Sequence, residues 1–299
     1  MPTPQSAANR RGIVAMSLGM ASFVSNDAIV KFVSQDLAPS QLIFLRGVFA
    51  TILLVAVAHA MGATRQIGGL LQRRVLIRAV FDAFATMTYL TSLFHLPLGN
   101  ATAINMATPL FITLFAVLAF GEKVGPARWL AIGTGFTGVL MVVQPSGSAF
   151  NAYALLCLAG TLLHAGRDLM TRTIDTRIPS ILITVSTAVS VTLFAGAWSL
   201  LQDWKPMQWQ HLALLSAASV FLSGGYYMLI NAMREGEMSV VSPFRYTGLL
   251  FALVLGYGVW GDVPNALAWS GIALLVGAGL YMLHSERARA GAALEAATD

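Results

Sequence analysis

Five charged residues stand inside long apolar runs of this chain: Asp27, Arg46, Asp82, Asp168 and Arg245, with Arg167 as a sixth nearer the end of its run. A charged side chain at the middle of a bilayer costs roughly 2.5–3.5 kcal/mol even on a lenient scale, so each should face a partner or a wet cavity. The chemistry within reach is recognition and ion pairing. A guanidinium can fork onto a carboxylate or phosphate, or lie against a planar ring. The spacing along the runs predicts two pairs, Asp27 with Arg46 toward one membrane face and Asp168 with Arg245 toward the other, with Asp82 near the second. Such pairs either neutralise one another statically or serve as gates and substrate contacts. Phe244 and Tyr246 flank Arg245, and on a helix only one of them shares its face.

Tyr89, Asn105, Tyr226, Tyr227 and Asn231 add aromatic faces and hydrogen-bonding groups inside the apolar runs. A flat heterocycle would use such a set, although each residue alone is as readily a packing residue. Pro109 after Thr108 and Pro243 after Ser242 each remove a backbone donor and bend a helix. They are candidate hinges, with a static kink as the alternative. His59, His95, His164, His211 and His284 are scattered without metal-ligand spacing, and His164 lies one turn before Asp168. No phosphate-binding glycine loop is present, so no metal, cofactor or ATP chemistry is expected. Gly133-Thr134-Gly135 reads as helix packing, and the single cysteine, Cys157, has no partner for an internal disulfide.

The elements that must position these residues are membrane helices. Of 299 residues, 57% are apolar and 10% charged, against roughly 25% charged in ordinary soluble domains. The net charge of +5 comes from short basic clusters between apolar runs, not from a basic stripe with interleaved aromatics, which argues against nucleic acid. Runs long enough to span predict ten transmembrane helices at 11–33, 40–60, 76–96, 99–120, 127–143, 151–171, 179–200, 210–232, 238–260 and 266–284. No removable signal peptide is expected at the N-terminus, and 288–299 reads as a disordered tail. Arg10, Arg11, Arg65, Arg73, Arg74, Arg78, Lys123, Arg128, Arg172, Arg177, Arg234, Arg287 and Arg289 fall on one side, and Lys205 with Lys31 on the other. By the positive-inside rule both termini are cytoplasmic. The six tryptophans, at 129, 198, 204, 209, 260 and 269, fall near span ends, as in an interfacial belt.

The halves repeat at an offset of about 140 residues. Gly121-Glu122 with Trp129 matches Gly261-Asp262 with Trp269; Asp27 with Lys31 matches Asp168 with Arg172; Pro39-Ser40 matches Pro179-Ser180. Five spans per half turn the second half upside down relative to the first. Inverted repeats are common in secondary transporters, with the substrate site between them near the midplane. The expected fold is an all-α membrane protein of two inverted five-helix repeats, 1–145 and 146–287, followed by the tail 288–299.

Ser25-Asn26-Asp27 with Lys31, Phe44-Leu45-Arg46, Thr108-Pro109-Leu110-Phe111, Gly121-Glu122 and Pro243-Phe244-Arg245-Tyr246 together resemble the drug/metabolite transporter superfamily in its ten-helix, EamA-type branch. Bacterial riboflavin importers and S-adenosylmethionine transporters of that superfamily are similar in these positions, and aromatic amino acid exporters are a looser match. The resemblance covers about 11–284 and implies a secondary transporter, not an enzyme. It works by alternating access in the inner membrane, as a monomer or homodimer, with riboflavin as the foremost substrate. S-adenosylmethionine, an amino acid or another metabolite, exchanged or exported, is the alternative. A membrane-embedded lipid-modifying enzyme would be expected to gather acids or histidines at one interface, and no such cluster is legible.

Overall fold

A computed structural model describes the backbone of residues 4–121, 125–145, 150–171, 173–175, 177–235 and 238–298. Every regular element among them is helical. In chain order these are α1 (Pro4–Val33), α2 (Pro39–Ala60), a 3-10 segment (Ala63–Leu71), α3 (Arg73–Leu93), α4 (Leu98–Asn105), α5 (Thr108–Phe120), α6 (Pro126–Val143) and α7 (Tyr153–Thr171). There follow α8 (Ser180–Ser199), α9 (Trp209–Glu235), α10 (Met238–Val241), a second 3-10 segment (Ser242–Tyr246), α11 (Thr247–Trp260) and α12 (Ala266–Thr298).

Among the described residues, six helical stretches are both long and apolar enough to cross a membrane: Ala8–Val33, Pro39–Ala60, Leu98–Leu118, Pro126–Val143, Ser180–Ser199 and Trp209–Leu229. Ala266–Met282 is a shorter apolar helix. Besides that shorter helix, three further expected spans are missing from the set of six. α3 and α7 are diluted by the ionised residues they carry, and the run 238–260 is divided into α10, a 3-10 turn and α11. The runs that fall short are those that build or flank the polar interior.

Successive connections alternate between two faces of the bundle. On the first face Gln41, at the start of α2, donates to the carbonyl of Lys205 in the α8–α9 connection (3.1 Å), and Asn151 before α7 donates to the carbonyl of His95 after α3 (2.9 Å). On the second face Arg74 of α3 donates to the carbonyl of Thr173 beyond α7 (2.7 Å), and Arg128 of α6 to Ser285 of α12 (2.7 Å).

Helix pairing follows the repeat. α1 lies along α9, and α7 lies along α3 in the same manner. α2 crosses α8, and α6 crosses α12. At the α6–α12 crossing a Cβ on Gly138 would stand 2.6 Å from the carbonyl oxygen of Gly271, so the two backbones touch and only glycine fits. Where α2 crosses α8, the hydroxyls of Thr51 and Thr192 share a 3.2 Å hydrogen bond. The sequence of buried, half-buried and exposed positions is identical over the fifteen residues 126–140 and 266–280.

Both expected kinks are breaks. α4 ends at Asn105 and α5 starts at Thr108. Pro109 has no N–H to offer the Asn105 carbonyl four residues back, and the Thr108 hydroxyl takes that carbonyl at 2.6 Å. In the other half Pro243 opens the 3-10 turn, where the Thr247 hydroxyl takes the Phe244 carbonyl at 2.7 Å. The segment 288–298, expected to be disordered, is helical as the extension of α12. Its alanine-rich composition has high helix propensity. Glu122, Lys123 and Arg172, used above for the repeat and for orientation, lie outside the described residues, as do the side chains of Arg234, Arg287 and Arg289.

Candidate functional site

Two polar groups sit at opposite depths of the bundle. The first lies toward the first face, where α1 ends and α2 begins. Asp27 is half-buried on α1. One of its oxygens accepts from the Asn26 amide (2.9 Å), the other from the Tyr89 hydroxyl of α3 (3.1 Å). Arg46 of α2 is buried, and its Nη1 donates to Asn26 Oδ1 at 3.3 Å. Asn26 therefore stands between acid and base, and the expected direct Asp27–Arg46 bridge is not formed. The Arg46 Nε is buried without a hydrogen-bond partner. Ser219 of α9 ties in the Arg46 carbonyl at 3.0 Å.

The second group is denser and lies where α3 meets α7 and α8. Asp82, 2% exposed, receives Arg167 Nη1 at 2.7 Å on one oxygen. Its other oxygen receives Arg78 Nη1 at 3.3 Å and the Thr187 hydroxyl at 2.8 Å. Arg167 also reaches Asp168, with Nη2 at 2.8 Å. Arg78 completes its shell on Thr171 and Thr187, both at 2.8 Å. The expected Asp168–Arg245 pair is thereby overturned: Asp168 is held by its own neighbour, Arg167. Arg78, counted from sequence among the basic residues of one membrane side, is an interior member of this group.

The groups are connected. The ring of Tyr89 lies 5.8 Å from the His164 ring, and His164 Nδ1 is 3.1 Å from Asn105 Oδ1, just before the α4–α5 break. Gly160 of α7 allows this approach, since a Cβ there would stand 3.1 Å from the Tyr89 nitrogen. Tyr226 of α9 is close enough to Arg46 on one side and to Asp82, Arg78 and Arg167 on the other to feel all four charges. Its ring meets Phe23 edge-on at 5.1 Å.

Tyr226, not Tyr227, is the inward residue. Tyr226 continues the buried stripe Leu215, Ser219, Ser223, whereas Tyr227, half exposed, continues the outward face through Val220. Adjacent helical residues differ in direction by about 100°, and composition alone does not choose between them. Tyr246, beside Arg245 in the chain, lies against a neighbouring helix. Its hydroxyl packs on Gly279 of α12, where a Cβ would overlap it, so it is a helix-packing residue.

Arg245 is exposed and, among the described residues, has no hydrogen-bond or ion-pair partner. The residues three and four positions before and after it, Val241, Ser242, Gly248 and Leu249, are all buried. The outward stripe of α11 runs instead through Leu250, Val254 and Tyr257. Arg245 is thus exposed although the residues one turn before and after it are buried. A Cβ on Gly248, one turn on, would meet Met20 of α1 and Met106.

On the first face Lys31, the last basic residue of α1, turns from Asp27 to the carbonyls of Leu93 (3.1 Å) and Leu96 (2.6 Å), under the Trp260 ring at 5.4 Å. Sequence reasoning missed this cap on the end of α3. Beside it is a recess of about 260 Å³ lined by Asn100, Gln144, Asn151, Asp262 and Asn265. Gln144 and Asn265 bridge α6 to the start of α12 by reciprocal amide bonds of 2.8 and 3.1 Å.

These features define an all-helical, multi-pass membrane protein with an ionised interior, built to pass a small molecule. Two copies of the EamA-like transporter family model match the chain, at residues 10–144 and 151–283, and the chain belongs to that family. It is similar to a riboflavin transporter of Rhizobium johnstonii, 31% identical over 72% of each chain. The pseudopaline exporter CntI of Pseudomonas aeruginosa is 28% identical over 89% of this chain and 94% of its own. An S-adenosylmethionine uptake transporter of Rickettsia prowazekii is 23% identical over 92% and 93%. One crystal structure shares the fold, with a TM-score of 0.62 and 18% identity over 95% of this chain and 99% of its own. The protein is a metabolite transporter and not an enzyme.

Proposed function

We propose that the chain carries riboflavin or a close flavin inward across the inner membrane by alternating access. The observation that carries this reading is the charge of the interior. Among the described residues, Asp27, Asp82 and Asp168 stand with Arg46, Arg78 and Arg167, and Arg245 adds a fourth guanidinium that has no ion-pair partner. A surplus guanidinium, taken together with Tyr89, Asn105 and Tyr226 of the helical interior, favours a planar, neutral or anionic ligand with hydrogen-bonding edges. It opposes a sulfonium such as S-adenosylmethionine. The riboflavin transporter relatives agree with this electrostatic preference.

The architecture behind the reading is ten spans in two inverted repeats. α4 with α5, and α10 with α11, each make one broken span. The symmetric helix pairing, the alternating faces and the matched burial patterns of α6 and α12 support it. Arg65, Arg73, Arg74, Arg128 and Arg177 lie on the second face, which favours a cytoplasmic location for it and for both termini. Pro109 and Pro243 mark the broken helices on which the halves rock, with Asp27, Arg46, Asp82 and Asp168 as the ionic groups that rearrange.

Export is the second reading, favoured by the longer match to the pseudopaline exporter. Labelled riboflavin offered to a riboflavin auxotroph expressing the chain distinguishes the two. Uptake and growth at limiting riboflavin are expected. Absence of uptake in cells, with accumulation in everted vesicles, would establish export.

A further inference from the structure

We propose that Asp27 is a proton-binding site that couples substrate movement to the proton gradient. Among the described residues within the helices, Asp27 is the one carboxylate met only by neutral donors. Asn26 holds one oxygen and Tyr89 the other. Asp82 and Asp168 are fixed by arginines at 2.7 and 2.8 Å and cannot take a proton without breaking an ion pair.

Among the described residues no cation touches Asp27 directly, although Arg46 behind Asn26 favours its ionised form. On its own helix Lys31 is drawn away to the Leu93 and Leu96 carbonyls. From α2 the nearest cation, Arg46, is separated by Asn26. α3 presents Tyr89, and α7 presents the buried thiol of Cys157. α9 carries Tyr226 against Phe23, the turn before α11 packs on α1 and carries Arg245 and Tyr246, and α11 adds only the outward Tyr257.

Asp27 lies six residues before the end of α1, about 9 Å of helix from the first face. In the state open to that face, a proton from the aqueous side binds a carboxylate oxygen and forms an O–H bond. The protonated acid becomes a donor as well as an acceptor. The Tyr89 hydroxyl is then free to turn from donating to Asp27 toward accepting from it. The group gains one positive charge, because Arg46 is no longer balanced. Release of the same proton on the opposite side restores the carboxylate and completes the cycle. Tyr89 passes the change to His164 and the α4–α5 break, the hinge region of the proposed transport cycle.

The proposal rests on the transport reading, and its test separates the two. Full-length protein in liposomes is given labelled riboflavin with and without an inward proton gradient. Accumulation by the wild type should rise about tenfold per pH unit at one proton per substrate, and in Asp27→Asn the ratio should fall to one. A wild type that exchanges riboflavin but ignores the gradient, or an Asp27→Asn that still responds to it, overturns the proposal. If Asp27→Asn fails to fold, Tyr89→Phe takes its place: loss of its hydrogen bond should move the pH midpoint of gradient-driven uptake upward, and an unmoved midpoint overturns the proposal. If the wild type does not exchange riboflavin at all, the flavin reading has failed. The proton site is then read without ligand, by infrared difference spectra between acid and alkaline pH. A carboxylic-acid carbonyl band absent from Asp27→Asn supports the proposal, and identical spectra overturn it.

Discussion

Asp82 and Arg245 are opposite cases of a charge inside a membrane protein. Asp82 is buried under two arginines and a threonine. Removing it leaves Arg78 without an ion-pair partner and Arg167 with Asp168 alone. Asp82→Ala is expected to cost about 3–5 kcal/mol, read as a large fall in melting temperature of the detergent-purified protein. A melting curve superimposable on wild type would contradict the pairing. Arg245 has no such obligations among the described residues. Arg245→Gln should melt within about 0.5 kcal/mol of wild type while uptake falls at least about tenfold, the loss of ~1.4 kcal/mol of substrate recognition. A parallel loss of stability and uptake would make it structural instead. The sequence made all these residues visible as charges out of place in oil. It hid their partners, because partner choice depends on the rotation of each helix about its axis. The expected Asp168–Arg245 pair failed for that one reason, and for that reason too the sequence left Tyr226 and Tyr227 undistinguished.

At the scale of helices, the crossing of α6 and α12 depends on two glycines whose backbones touch. Gly138→Leu should force the helices apart and destabilise the protein by about 1–3 kcal/mol. Gly133→Ala on the same helix, where a Cβ meets nothing within 4 Å, should be neutral. Equal melting temperatures for the two variants would refute the crossing. The break between α4 and α5 makes a second demand. Thr108→Val removes the donor to the Asn105 carbonyl and should cost about 1–3 kcal/mol, unless Pro109→Ala restores the missing N–H in the same chain. Failure of that rescue in the double variant would show that the hydroxyl has another role. These elements were largely legible beforehand. Apolar runs gave the helices, and the prolines gave the breaks. What the apolar runs could not give is how α3 and α7, expected as spans, pair their charges in the interior, nor that the alanine-rich end continues α12.

Across the whole molecule, a chain offset of about 140 residues becomes a set of matched contacts. α1 on α9 is answered by α7 on α3, and α2 on α8 and α6 on α12 pair with themselves. Duplication was readable from Gly121, Trp129, Gly261 and Trp269 because loop and cap residues keep their chemistry when packing residues drift. The polar groups are not copies of one another: the first group holds one acid and one base, the second two of each. Each group is balanced in itself, and Arg245 belongs to neither. The central claim is that this charge faces a water-filled passage and not lipid. Cysteine placed at position 245, in a Cys157→Ala background in native membranes, tests it directly with a water-soluble thiol reagent. Rapid labelling, slowed by riboflavin, is the expected result. A cysteine at 245 that reacts no faster than one at the outward position Leu250 would contradict it.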